Sequence, residues 1–284
     1  MNKKYEFTGE TMRYFGRDLR RIRALVDIGS VQKGAVGGWV ASEANLSHDG
    51  GCWVGGMAIV MDNACVRDDA IVEGTSVVSD YATVFDQAVV TGCSRIGGAS
   101  KIYGNAHVTD NSRVFGRAMV SGQAYVHAHA YLFDDANAFG QADVGGTSQI
   151  SGNAKIHGAA KVCDSVRVLG SAEVCGHAIV HDSVEIMGTA KVQGAACIRG
   201  NSLLKDGVLR SITDYMCVGP IGSRCKFTTL NLVTGTVCTG CFQGTLDDFE
   251  RAVNEEHGDN EHGTAYRNLI AYFRTLNRNL KYNN

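Results

Sequence analysis

The residues able to do chemistry fall into two groups. In the last quarter of the chain, Cys238-Thr239-Gly240-Cys241 is followed by His257 and His262. Two thiols three positions apart and two later imidazoles are the ligand types of a tetrahedral zinc site. A second Cys-x-x-Cys is missing, however, and Cys238 falls at the end of a predicted strand. A second reading uses the same segment differently. Gly222, Ser223, Arg224, Thr228 and Cys241, with His257 and His262, would line a polar pocket for a small anionic ligand. Arg224 would grip a phosphate bidentately, and the Gly222-Ser223 amides would add donors. Turn formation and closure of a helix–loop–helix account for these residues without a ligand, so three readings stand.

The second group is His107, His127, His129, His157, His177 and His181. A histidine can serve as general base for a hydroxyl or amine nucleophile. His127 and His129 stand out because Asp134, Asp135 and Asn137 follow them, and because the pattern described next fails beside them, at Ala128 and Ala138. Local rule-breaking accompanies functional sites and also ordinary drift in a tolerant segment.

The pattern that must position all these groups is a repeat. Reading in steps of six from Val54 to Leu204 gives 26 positions, of which 25 are Val, Ile or Leu and one is Ala138. Two residues after each stands Gly or Asp in 25 cases, Ala128 being the exception. Four residues after each of the first 25 stands Ala or Ser, except at Val166 and Val184. One inward aliphatic, one small inward residue and a left-handed corner between them describe a short strand and a turn. Three such strands close a triangular coil of about 18 residues, and stacked coils pair as parallel strands roughly 4.8 Å apart. About eight coils follow, a rod on the order of 40 Å. His127 and His181 then share a face but lie three coils apart, about 14 Å, too far for one metal ion.

Composition agrees with this reading. The chain has 284 residues, 35 glycines and a single proline, with 44% hydrophobic and 20% charged residues. Collagen needs glycine at every third position with abundant proline, and disorder needs fewer apolar residues, so both are excluded. Strand amides engaged by neighbouring coils leave no place for proline. A balance of 27 basic to 29 acidic residues gives no electrostatic case for nucleic acid or an anionic membrane. No 18-residue apolar stretch and no signal-peptide-like start occur, so a cytoplasmic protein is expected, its ten cysteines reduced thiols that mostly act as small packing residues.

Residues 1–35 lack the period; YEFTG and LRRIRALVD read as strands capping the open end of a β-helix over 36–208. Beyond it, DYMCVG, CKFTTLNLV and GTVCTGCF read as strands, and Thr245–Glu256 and about Thr264–Arg278 as helices, giving a small α/β domain over 209–284. Thr245 and Asp248 form a capping-box start for the first helix, and Gly258 a stop.

The hexads resemble the hexapeptide-repeat, left-handed parallel β-helix family. The left hand comes from that resemblance alone, since it opposes the usual crossover preference. Val26-Asp27-Ile28-Gly29-Ser30-Val31, Lys33-Gly34, Gly37-Gly38-Trp39-Val40, Leu46-Ser47 and Cys52-Trp53-Val54 are similar to bacterial, prophage and phage members commonly labelled as transferases. Gly222-Ser223-Arg224, Gly240-Cys241-Phe242, Gly244-Thr245-Leu246, His257-Gly258, His262-Gly263 and Tyr266 resemble the C-terminal domain of phage-borne members. The resemblance implies a homotrimer and, for acyltransferase members, an acyl-CoA co-substrate with a histidine general base at the subunit interface. Here that base would be His127 or His129, but the external loop common in such enzymes is missing. Outward Phe85, Tyr103, Phe115, Phe133, Phe139, Leu169 and Met187 would stack at 18-residue spacing, Phe115 on Phe133, into apolar stripes suited to a trimer interface. The expected function is a non-catalytic homotrimeric scaffold without a cofactor. As a phage or prophage accessory protein, with a role in counter-defence, it would capture a nucleotide-like anion or a host protein. The alternative is an acyl-CoA-dependent acyltransferase.

Overall fold

From Val54 onward each six-residue unit folds as a two-residue strand and a turn. Ile59–Val60, Cys65–Val66 and Ile71–Val72 are successive strands in which the second residue is wholly buried. The turn residue two places later is left-handed, as at Asp62 (φ +57°) and Gly74 (φ +72°). Every third strand pairs in parallel: Ile71–Val72 with Val89–Val90, and that strand with His107–Val108. Their amides are used coil to coil, as where Val89 and Thr91 donate to Ala106 and Val108 at 2.9 Å. That is the physical reason a chain this long tolerates one proline.

The computed structural model describes residues 3–200 and 202–281. They form two compact units, Met1–Ala159 and Ala160–Asn284. The fold is mainly β, a parallel solenoid of about nine turns with a C-terminal antiparallel sheet and two helices. Strands from Trp53–Val54 to Lys155–Ile156 make the turns of the first unit, and those from Lys161–Val162 to Val208–Leu209 make the turns of the second. The count exceeds the expected eight because one more strand follows Leu204. It comes after five residues rather than six, with Leu209 fully buried and Gly207 (φ +84°) at the corner instead of Asp206.

Two substitutions in the repeat have local explanations. Aspartate replaces glycine at corners because its carboxylate accepts the amide of the next coil's corner. Asp80 does so from Gly98 at 2.8 Å, Asp86 from Gly104 at 3.0 Å and Asp134 from Gly152 at 3.1 Å. Serine replaces alanine inside because its buried hydroxyl donates to a carbonyl of its own turn. Ser94 reaches Thr91, Ser100 reaches Gly97 and Ser148 reaches Gly145, all at 2.7–2.8 Å. No buried hydroxyl in these three is left unsatisfied.

Ala128 holds the same left-handed corner (φ +59°) without glycine's freedom, its amide donating to Asp110 at 2.9 Å. A left-handed alanine costs about 1–2 kcal/mol. The greater unfolded-state entropy of glycine takes back about 0.4–1 kcal/mol. Ala128→Gly should therefore raise stability by roughly 0.5–1 kcal/mol, read as an increase in the urea midpoint. A lower midpoint would show that the corner carries no strain.

The N-terminal expectation of capping strands takes the form of a hairpin. Tyr5–Tyr14 and Arg17–Ala24 pair antiparallel, and the second pairs antiparallel with Val36–Val40. Val36–Val40 then pairs in parallel with Ile59–Val60, so the hairpin covers an edge of the first coils. In the second unit, Tyr215–Ile221, Lys226–Asn231, Thr236–Thr239 and Phe242–Thr245 form an antiparallel sheet in chain order. GTVCTGCF, expected as one strand, is a hairpin turning at Gly240 (φ +55°). Helices α1 (Leu246–His257) and α2 (Glu261–Lys281) follow, the second beginning three residues earlier than expected. Thr245 and Asp248 exchange the expected capping hydrogen bonds, and Gly258 closes α1. The sheet and helices share a core of Leu230, Val237, Phe249, Val253, Ile270 and Phe273. Among the described residues, no helix is long and apolar enough to cross a membrane.

Candidate functional site

Two tight turns and a helix end meet at one side of the antiparallel sheet. The turn after Ile221 carries Ser223 and Arg224, the turn at Gly240 carries Cys241, and α1 ends in Glu255, Glu256 and His257. Together with Lys226, Thr239, Phe242, Phe249 and Tyr266 they line a cleft of about 390 Å³. Its apolar wall is a chain of rings. Phe242 packs on Phe249 (5.2 Å), Phe249 meets Tyr266 edge-on (5.4 Å), and Tyr266 stacks on His257 (5.6 Å). The buried Tyr266 is held at its other end by donating its hydroxyl to the Ile221 carbonyl at 3.3 Å. Facing this wall are the exposed Ser223, Arg224 and Lys226, with the Arg224 guanidinium 4.0 Å from the Cys241 sulfur.

Of the seven residues expected to bind a ligand, Ser223, Arg224, Cys241 and His257 line the cleft. Gly222 stands behind it: a Cβ there would fall 2.0 Å from the Tyr266 hydroxyl oxygen. Thr228 is fully buried outside the lining and donates to its cross-strand neighbour Thr239, which lines the cleft, at 2.9 Å. His262 packs edge-on to His257 (5.9 Å) outside the lining. The sequence reading did not include Lys226, Phe242, Phe249, Glu255, Glu256 or the positioning of Tyr266. Glu255 and Glu256 make the cleft mixed in charge rather than simply basic.

The zinc set is not brought together. Strand alternation puts Val237 in the helix-facing core and Cys238 on the opposite face, paired across the sheet with Thr229 and Gln243. Burial pushes the Cys238 thiol up to about 11, which disfavours the thiolate a metal requires. Among the described residues, Cys238, Cys241, His257 and His262 do not form a group within reach of one ion.

In the first unit, His127 is oriented while His129 is exposed. The His127 Nε2 lies 2.9 Å from the Asp143 carboxylate, and its ring stacks on Tyr125 (4.6 Å). The ring covers Gly145, where a Cβ would come within 2.4 Å of it. The neighbouring acids are engaged in the scaffold: Asp134 accepts an amide, and Asp135 holds Arg117 bidentately at 2.6 Å. That pairing with Arg117 keeps the Asp135 carboxyl below its ordinary range.

The outward rings stack differently from expectation. Phe85 and Tyr103 lie face to face at 5.0 Å with Arg67 over Phe85. Phe115, however, meets Tyr131 edge-on (6.2 Å) instead of lying on Phe133, and Tyr131 stacks on Phe133 (4.6 Å). Tyr131 is the outward partner of Leu132 within its strand, so it reaches the corner that spacing alone reserved for position 115 on 133. No protein-family model and no curated protein matches this chain.

Proposed function

We propose that the protein is a non-catalytic homotrimeric scaffold whose C-terminal cleft sequesters a small anionic, nucleotide-like ligand. The observation that carries this reading is the convergence of Ser223, Arg224, Cys241 and His257 on one cleft with an aromatic wall. Arg224 and Lys226 suit phosphate, the Phe242–Phe249–Tyr266 wall suits a planar base, and Glu255 and Glu256 suit sugar hydroxyls. A host protein as the captured partner is the variant of this reading in which the cleft takes an acidic, aromatic side-chain motif. The trimer draws support from the half-buried rings at Phe85, Tyr103, Phe115 and Phe133. The phage or prophage setting, and with it a counter-defence role, rests on the resemblance of the two termini.

The test is a thermal-shift and calorimetric screen with mono-, di- and cyclic nucleotides beside acyl-CoAs. A phosphorylated ligand should raise Tm, and Arg224→Ala should weaken its binding by about tenfold to a hundredfold, the worth of a charge-assisted hydrogen bond. No response to any phosphorylated ligand would sink the reading. Light scattering should return three chains of 30.3 kDa; a monomer would remove the trimer from it.

A second reading, acyl transfer with acyl-CoA, is favoured by one observation, the His127–Asp143 contact at 2.9 Å, which orients the imidazole as a general base requires. Stabilisation by CoA alone, with thioester turnover abolished in His127→Ala, would establish it in place of the scaffold.

A further inference from the structure

Corner aspartates stand one coil above another at three places among the described residues: Asp62 and Asp80, Asp68 and Asp86, Asp164 and Asp182. In each pair the first carboxylate accepts the second residue's amide, at 3.4, 3.3 and 2.9 Å. A basic group stands beside each pair. The first pair has Arg17 on Asp62 at 2.6 Å, and the second has Arg67 on Asp68 at 2.7 Å. At the third, His181 places Nδ1 3.2 Å from an Asp182 oxygen. An imidazole is a full cation only when protonated, but when neutral it is a metal ligand. The ligand atoms of Asp164, His181 and Asp182 all lie within 4.8 Å of one another, and the group is open to solvent.

We propose that Asp164, His181 and Asp182 bind a divalent transition-metal ion, with zinc the fitting one, which joins two consecutive coils. One nitrogen and two carboxylate oxygens are a first-row transition-metal set, since imidazole selects against magnesium and calcium. Water completes the coordination. The supporting groups are in place. Asp164 is oriented by the Asp182 amide at 2.9 Å and Asp182 by the Gly200 amide at 2.8 Å. Cys197 lies 3.9 Å from the other ring nitrogen, Nε2, and belongs to the opposite side of the imidazole.

Equilibrium dialysis of the metal-stripped full chain against zinc, with thermal unfolding in parallel, tests this. The expected result is a zinc-dependent rise in Tm and a bound ion whose affinity falls about tenfold or more in His181→Ala and in Asp164→Asn, a ligand being worth at least as much as its outer-shell support. Both side chains are exposed or half-buried, and unfolding without zinc checks that the variants fold. Cys238→Ser/Cys241→Ser should keep the ion, and cobalt in its place should show d–d bands without thiolate charge transfer. The proposal is overturned by no binding, by binding that ignores His181→Ala, or by binding lost only with the two cysteines.

Discussion

Gly37→Val should prevent the N-terminal unit from forming its native cap. Gly37 lies in Val36–Val40, the strand that joins the hairpin to the first coils. A Cβ added there would stand 2.6 Å from a Trp53 ring carbon, 2.6 Å from the Val54 carbonyl oxygen and 2.7 Å from Ile22 Cγ1. Ile22 is fully buried and Trp53 is 3% exposed, so neither can swing away, and a backbone oxygen cannot yield without breaking coil pairing. Overpacking by a methylene or two costs about 1–3 kcal/mol. Three carbons against three fixed neighbours should exceed roughly 4 kcal/mol, the range reserved for a lost element of structure. Urea unfolding measures it, and limited proteolysis should find new cleavage in Tyr5–Ala24. Gly29→Ala is the comparison: φ is +55° there but nothing lies within 4 Å of the new Cβ, so only the left-handed penalty of about 1–2 kcal/mol remains. Equal effects from the two substitutions would show that close packing at Gly37 does not hold the cap.

The period was legible because three requirements recur every six residues: an aliphatic inside, a small residue beside it, and a left-handed corner. The last coil was not, because its strand comes one residue early and Gly207 replaces Asp206 at the turn. In the C-terminal domain, turn residues and a helix end were readable as polar groups at element boundaries, and these are the ones that line the cleft. Cys238 turns away from the helices because strand alternation depends on where each strand starts, and the hairpin at Gly240 was hidden within GTVCTGCF. Phe249 and Tyr266 carry the ordinary signature of core helix residues, since they are core and wall at once. The Asp164–His181–Asp182 group was invisible for a related reason. His181 is one outward histidine among several, and its meaning depends on an aspartate 18 residues earlier lying directly over Asp182.

Gly222→Ala should disable the cleft, and a double-mutant cycle can show why. Gly222 is left-handed (φ +75°), and its new Cβ would meet Tyr266 at 2.0 Å from the hydroxyl oxygen, 2.4 Å from Cζ and 2.6 Å from Cε2. The ring cannot move outward freely, because it is wedged between His257 and Phe249 and tied to the Ile221 carbonyl. The left-handed penalty of about 1–2 kcal/mol and an overpacking cost of about 1–3 kcal/mol together predict a loss of about 2–5 kcal/mol. In a Tyr266→Ala background the ring is gone and only the backbone penalty remains. Gly222→Ala should then cost about 1–2 kcal/mol, leaving a coupling of about 1–3 kcal/mol between the two positions. Urea unfolding of the four proteins supplies the cycle. Additive costs would mean that Gly222 is needed for its backbone alone and does not seat the tyrosine. The coupling matters for binding as well as stability, since a glycine that seats Tyr266 also fixes the aromatic wall opposite Arg224. Gly222→Ala should accordingly weaken any cleft ligand even where the protein stays folded, while Gly258→Ala, left-handed (φ +51°) with nothing within 4 Å of its Cβ, should not.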